Sequence, residues 1–391
     1  LSAKAGHPAR AAVLSDTVLT GAGDLDRAGF AAAVQSLGGD LSAGVDADRL
    51  LLSGNVLATN LPALLALLGS ALTEAKYATA EVATERDRLV EKLTIARSRS
   101  GVVATEALGR RMWGEHPYAI DLPSADEVAA TTAAQVRKLH ADLVRPSGAC
   151  LTIVGDATPA RVLDQVEAAL GSWTGAAATP RIPPLPQPAG GDLLIIDRPG
   201  SVQSSLRMGR PAITRSDAGY PALQLANLIF GGYFSSRWTE NIREDKGYTY
   251  GPHSRIDHHS LGSTLMFDVE VATEVTAPAI LETRYELGRI ASLGVTEDEV
   301  SATRQYAIGT LALSTATQAG LASTVSALSA FGLGLEWIAE HPARLQAVTR
   351  DQVSEAAAAF FGPSGLTQVI VGDAASITGP LAALGAVTSH A

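Results

Sequence analysis

The sequence predicts an α+β protein of two homologous domains, each a β-sheet covered by helices and related to the other by internal duplication. Three observations lead there: a length of 391 residues, a helix-turn-strand unit that occurs twice, and β-branched runs interspersed with long alanine-rich stretches. The length exceeds the roughly 100–200 residues of an ordinary domain, so two cores are expected. Apolar residues make up 46% and charged residues 18%, a balance that supports a sizeable interior and gives no sign of wholesale disorder.

The duplication is visible in "TTAAQVRKLHADLVRPSGACLTIVGDA", ending at Ala157, and "VTRDQVSEAAAAFFGPSGLTQVIVGDA", ending at Ala374. At a constant offset Thr132, Gln135, Val136, Pro146, Ser147, Gly148, Val154, Gly155 and Asp156 recur as Thr349, Gln352, Val353, Pro363, Ser364, Gly365, Val371, Gly372 and Asp373. Each copy reads as a Thr-capped helix, a Pro-Ser-Gly turn and a β-branched strand stopped by Gly-Asp. "EHP" precedes both helices, as Glu115-His116-Pro117 and Glu340-His341-Pro342, though at different distances.

From the start of the chain, "LSAKAGH" has no turn or cap before it and reads as the tail of an extended segment, so residues upstream are expected to be missing. No basic region followed by an apolar one marks a secretory signal. Helical patterning with a Glu/Arg/Lys-laced face fills Tyr77 to Arg111, while "LLLSGNV", "LLIIDRP" and "TLMFDVEV" read as strands. The prolines of "GAAATPRIPPLPQPAGG" deny backbone donors and favour extended conformers, which suits a spacer. The expected organisation is a first domain over 1–175, a linker over 176–193 and a second domain over 194–391.

A net charge of −10 argues against nucleic acid, because phosphate-backbone ligands are held by concentrated Lys and Arg. No apolar run reaches the ~18 residues of a membrane helix, so a soluble protein without membrane insertion is expected. The single cysteine, Cys150, lies in the apolar run "ACLTIVG", where packing is its expected role; it allows no internal disulfide and no thiolate metal site. Low cysteine and high alanine content suit a bacterial cytoplasm.

The stretch "NIREDKGYTYG" sets Arg243 and Tyr250 on either side of a Lys-Gly turn. Taken alone, it reads as a surface ion pair of Arg243 with Glu240 or Glu244 and a tyrosine packed on a strand edge. Tyr248 competes with Tyr250 as a donor. Gly231 and Gly232 read equally as a turn that needs positive φ and as a direct substrate contact. Arg237 is expected to be a structural anchor.

With its context, "FGGYFSSRWTENIREDKGYTYG" resembles the Gly-Gly, Ser-Ser-Arg, Leu-Arg-Glu-x-x-Gly-x-x-Tyr signature of the pitrilysin/insulinase-type zinc metallopeptidases. In the first half, "WGEHPYAIDLPSADEVAATTAAQVRKLHADLVRPSGACLTIVGD" resembles the same family's segment from His-Pro-Tyr to a Val-Gly-Asp strand end. The likeness covers nearly the whole chain. It is to the short two-domain subunits of the mitochondrial-processing-peptidase-like group, and within it to the non-catalytic, alpha-like subunit. It implies the fold of one metallopeptidase clamshell half.

Active members carry H-x-x-E-H, in which two imidazoles hold zinc and the glutamate is general base. No such motif occurs among the eight histidines. Alignment through Gly21 places the motif on "AVLSD", so Ala12, Ser15 and Asp16 stand at the degenerate positions, and the downstream third ligand falls on Lys92, or on Glu91 one residue away. An ammonium there repels a dication. "WIAEH" and "MWGEH" each offer one imidazole before a proline, for which a capping role at a helix end is expected. His258 and His259, adjacent on a strand, face opposite ways and are expected to be exposed or in a turn.

The resemblance implies a non-catalytic subunit of a heterodimeric zinc metallopeptidase. Arg243 and Tyr250 would stabilise charge in the zinc site of a partner bearing H-x-x-E-H, for cleavage of peptides or leader segments, with Gly231 and Gly232 as substrate contacts. No cofactor is expected in this chain, and zinc is expected in the partner. The alternative is a scaffolding homologue with no part in proteolysis.

Overall fold

The computed structural model describes residues 6–176, 182–188 and 190–390, so the linker expectation over 176–193 lies partly outside the described residues. Early elements are α1 (His7–Thr17), α2 (Arg27–Ser36), β1 (Asp40–Val45), β2 (Leu50–Asn55), α3 (Leu61–Glu74), α4 (Thr79–Arg97), α5 (Ser100–Trp113), α6 (Ala125–Ala129), α7 (Ala133–Leu143) and α8 (Pro159–Leu170). There follow β3 (Leu193–Asp197), β4 (Gln203–Ala212), α9 (Tyr220–Asn227), the short α10 (Arg237–Thr239), β5 (His253–His259) and β6 (Gly262–Ala272). The chain closes with α11 (Thr276–Leu293), α12 (Glu297–Ser314), α13 (Gln318–Ser329), α14 (Leu335–Ala347), α15 (Arg350–Phe361), β7 (Thr367–Gly372), α16 (Ala374–Ala382) and β8 (Val387–His390). This is the expected α+β class, sheets flanked by helices.

Two compact units result. One comprises Leu1–Ala96, Leu122–Pro183 and Ser314–Gly332; the other Arg97–Asp121, Pro184–Leu313 and Leu333–Ala391. The helical patterning within Tyr77 to Arg111 divides at Ser98–Arg99 into α4 and α5, and α5 belongs with the later sequence. The cause is in the side chains: Met112 and Leu108 of α5 press against Gly209 of β4, where a Cβ would meet the Met112 sulfur at 3.0 Å, and the Ser205 hydroxyl donates to Ser100 at 2.8 Å.

In the first unit, β1 and β2 form an antiparallel hairpin. Its core gathers Val13 and Leu14 of α1, Leu72 of α3, Val82 and Leu93 of α4, and Val136 and Leu139 of α7. Tyr77 is buried there, its hydroxyl bonded to His140 Nδ1 at 2.6 Å while His140 Nε2 donates to the Leu72 carbonyl at 2.9 Å.

The second unit holds a six-stranded sheet ordered β5-β6-β4-β7-β3-β8, antiparallel from β5 to β7 and parallel from β7 to β8. Period-two alternation sends Leu206 and Met208 of β4 and Leu265, Phe267 and Val269 of β6 into a core shared with α9, α11 and α15. Phe230, Trp238, Phe267 and Phe361 pack ring on ring at its centre, with centroids 5.2–5.8 Å apart for the three pairs that Phe230 makes with Trp238, Phe267 and Phe361 and for Phe267 with Phe361.

The two copies of the repeat share their local structure. Thr132 with Gln135 and Thr349 with Gln352 both make reciprocal capping boxes, and Gly148 and Gly365 take φ of 80° and 81° in the Pro-Ser-Gly turns. They part at the strand. Residues 367–372 form β7, buried between β4 and β3, whereas 149–154 pair with no strand among the described residues. Two expectations are corrected there: the first copy does not end in a strand, and Cys150 is exposed, as is Leu151 at 46%. A strand needs a neighbour's backbone, and only the second copy has one on each side. No described helix is long and apolar enough to cross a membrane.

Candidate functional site

The second-unit signature folds as two π-helical segments, Leu228–Gly232 and Glu240–Asp245, joined through Tyr233–Ser236 and α10. Such segments are rare and cluster at functional sites. Anchors bracket the joint. Arg237 is buried and grips Glu299 through Nε at 2.6 Å and Nη2 at 2.7 Å, with a further bond to the Gly294 carbonyl at 3.0 Å; Trp238 donates to Thr283. Arg237 is thus the anchor its sequence context suggests.

After Asp245 the chain reverses at Gly247, whose φ of 66° glycine tolerates and L side chains resist. Backbone bonds from Lys246 to Asn241, Gly247 to Arg243 and Tyr248 to Ile242 close this turn. Thr249 then donates to the Glu270 carbonyl of β6 at 2.6 Å. The turn returns Tyr250 to Arg243, whose guanidinium carbon lies 5.1 Å from the Tyr250 ring centroid. Tyr248 packs against the core, so Tyr250 is the tyrosine that meets Arg243. The ion pair with Glu244 is present at 3.3 Å, but Tyr250 is 88% exposed rather than packed on a strand edge.

Sequence reasoning missed Phe234. Its ring centroid lies 4.4 Å from the Arg243 guanidinium carbon, closer than that of Tyr250, and it is 62% exposed. The available signal was an aromatic directly before Ser-Ser-Arg in a chain where aromatics are only 5%.

Gly231 and Gly232 occupy the first π-helical segment without positive φ, so the turn requirement does not hold. Close approach explains them: a Cβ at Gly231 would sit 2.9 Å from Trp238 and 3.0 Å from the Ser254 hydroxyl, and one at Gly232 would sit 2.7 Å from the Asn227 amide. Gly231→Ala is expected to cost about 1–3 kcal/mol by overpacking, read as a lowered urea midpoint. An unchanged midpoint would return Gly231 to a role outside the core.

The degenerate positions lie in the first unit. Ala12, Ser15 and Asp16 are on α1 and Lys92 is on α4. The Ser15 hydroxyl donates to the Ala12 carbonyl at 2.9 Å. Burial raises the Asp16 pKa, the Lys92 ammonium lowers it, and Glu85 raises it again. Glu85 is already paired with Arg27 at 2.7 Å and Arg88 at 2.8 Å. One carboxylate facing an ammonium does not fit a zinc ion. Among the described residues no three His, Cys, Asp or Glu side chains are grouped to hold a metal.

The histidines resolve into separate roles. His116 Nδ1 accepts from the Tyr118 amide at 3.1 Å, the capping role expected. His341 does not cap: α14 runs on through Pro342 to Ala347, and the imidazole is buried at 2% exposure, stacked on Trp337 at 4.0 Å with Nε2 bonded to Gln224 at 2.7 Å. Nor are His258 and His259 simply exposed. His258 bonds Ser263 at 2.8 Å and Tyr220 at 3.3 Å, while His259 stacks on Tyr118 at 4.5 Å, the opposite facing that a strand imposes.

Comparison with known proteins gives the class first. The fold is that of a peptidase M16 inactive domain from Pseudomonas fluorescens, whose crystal structure superposes with a TM-score of 0.85 at 21% identity over 95% of this chain and 90% of that one. Residues 130–306 match the family model described as the peptidase M16 inactive domain. Over 85% of its length the chain is 25% identical to an uncharacterized zinc protease of Streptomyces coelicolor, covering 74% of that protein. It is 27% identical over 45% of its length to the "probable inactive metalloprotease YmfF" of Bacillus subtilis, covering 42% of that chain. The class these likenesses define is that of M16-type peptidase folds, with residues 130–306 similar to the peptidase M16 inactive domain.

Proposed function

We propose that this chain is the non-catalytic subunit of a heterodimeric zinc metalloendopeptidase, lending Arg243 and Tyr250 to a homologous partner that carries H-x-x-E-H. The observation behind this reading is the folded pair itself: a guanidinium and a phenol brought together by the Gly247 turn, the phenol almost fully exposed, in a chain whose aligned metal positions hold Ala12, Ser15, Asp16 and Lys92. Peptide hydrolysis builds negative charge on the carbonyl oxygen, and two fixed donors suit that charge. Metal chemistry belongs to the partner.

Substrates are peptides or leader segments, held by the partner as an added β-strand and recognised mainly through backbone. The acidic net charge favours somewhat basic peptides. The relatives are bacterial, and a cytoplasmic location completes the proposal.

The test is a fluorogenic-peptide assay of this chain alone, the partner alone and the two mixed. Alone, the chain is expected to cleave nothing and to hold no stoichiometric zinc by metal analysis; mixed, turnover appears. Tight zinc in the isolated chain would overturn the argument from the ligand positions. A partner equally active with and without this chain would favour the scaffolding alternative.

A further inference from the structure

We propose that Phe234 is a positioning residue for Arg243, holding the guanidinium in the orientation from which it donates; this rests on the functional reading above. The contact joins residues nine positions apart, from the joint after the first π-helical segment into the second segment. Arg243 lies over the Phe234 ring at 4.4 Å and over the Tyr250 ring at 5.1 Å. A flat cation lying over aromatic faces is attracted by the ring quadrupole and keeps its N–H groups for partners at its rim. Its ion pair among the described residues is with Glu244, through Nε at 3.3 Å.

Phe234 is placed for this by its neighbours. Tyr233 turns to Tyr306, with ring centroids 5.0 Å apart, and Ser236 is buried with its hydroxyl bonded to Thr239 at 2.9 Å. Arg237 is locked to Glu299 one residue on. Between these fixed points the Phe234 backbone has little freedom, and its phenyl stays outside the core that absorbs Phe230 and Trp238. An arginine side chain otherwise samples many rotamers in water, and the orientation it spends least time away from is the one a ring holds.

Two readouts test this in the full-length chain, free and with its partner. In arginine-labelled protein, nuclear magnetic resonance is expected to find the Arg243 δ and ε protons shifted upfield by the rings; Phe234→Leu removes most of that shift and Phe234→Tyr keeps it. In the complex, Phe234→Leu is expected to lower kcat about tenfold with KM little changed, and Phe234→Tyr to restore it. An Arg243 resonance indifferent to Phe234→Leu, or an unchanged kcat where Arg243→Ala lowers it, overturns the proposal. If Arg243→Ala leaves kcat unaltered, the functional reading falls instead, and the resonance shift alone decides whether Phe234 orients the guanidinium.

Discussion

Arg243→Ala, assembled with the catalytic partner, is expected to lower kcat by roughly 10²–10³, the loss typical of one donor removed from a developing oxyanion. The expectation rests on where the side chain is and on how little else it does. Its ion pair is with a half-exposed neighbour on the same segment, a contact worth little to folding. Stability should therefore be nearly unchanged, and so should complex formation by gel filtration. Tyr250→Phe keeps the ring over the guanidinium and removes only the phenol O–H; a comparable fall in kcat is expected from that loss alone. Because the two donors would serve one oxygen, the double variant should lose less than the product of the single losses. Turnover unchanged in both single variants would leave the pair as surface chemistry without a part in hydrolysis.

Acid should destabilise the second unit through one buried and one half-buried imidazole, His341 and His258. Burial holds His341 down to about 4, aided by the charges of Arg344 and Arg215. It holds His258 down to about 3, aided by Arg215 and His259. In the unfolded chain each binds a proton as pH falls through the ordinary value of 6.5, while the folded chain stays neutral until near pH 4 and 3. The unfolded state thus takes up more protons between those limits, and stability declines as pH drops from 6.5 toward 4, with no change above 6.5. For His341, held down to about 4 when folded and 6.5 when unfolded, this corresponds to roughly 3 kcal/mol at pH 4. Urea midpoints at pH 7.5 and pH 4.5 measure it. His341→Leu should start less stable, having lost the Trp337 stack and the Gln224 bond, yet decline less between the two pH values. Equal declines in wild type and variant would remove His341 from the account.

The repeat was legible because its signals are local. Thr and Gln three residues apart make a capping box wherever a helix starts, and the Ser-Gly of the turn accepts positive φ whatever lies around it. The same reading failed for 149–154, where strand propensity was equal but a pairing neighbour was not. It failed again for His341, where a proline suggested a helix end and α14 nevertheless continued. In the candidate site, the Lys-Gly turn and the Arg243 to Tyr250 spacing were readable, and the family signature chose Tyr250 over Tyr248 by placing the tyrosine three residues after Gly247.

By itself the amino-acid order determined the α+β class, the duplicated unit and the turn that pairs Arg243 with Tyr250. These follow from backbone preferences and side-chain chemistry within a few residues of each other. Only the tertiary structure decided that α5 packs with the later sequence, that Gly231 is a close-approach position, and that Phe234 lies over Arg243. Each of those depends on distances between groups the chain brings together only once its core has closed, and pairwise packing of that kind leaves no periodic trace in a linear sequence.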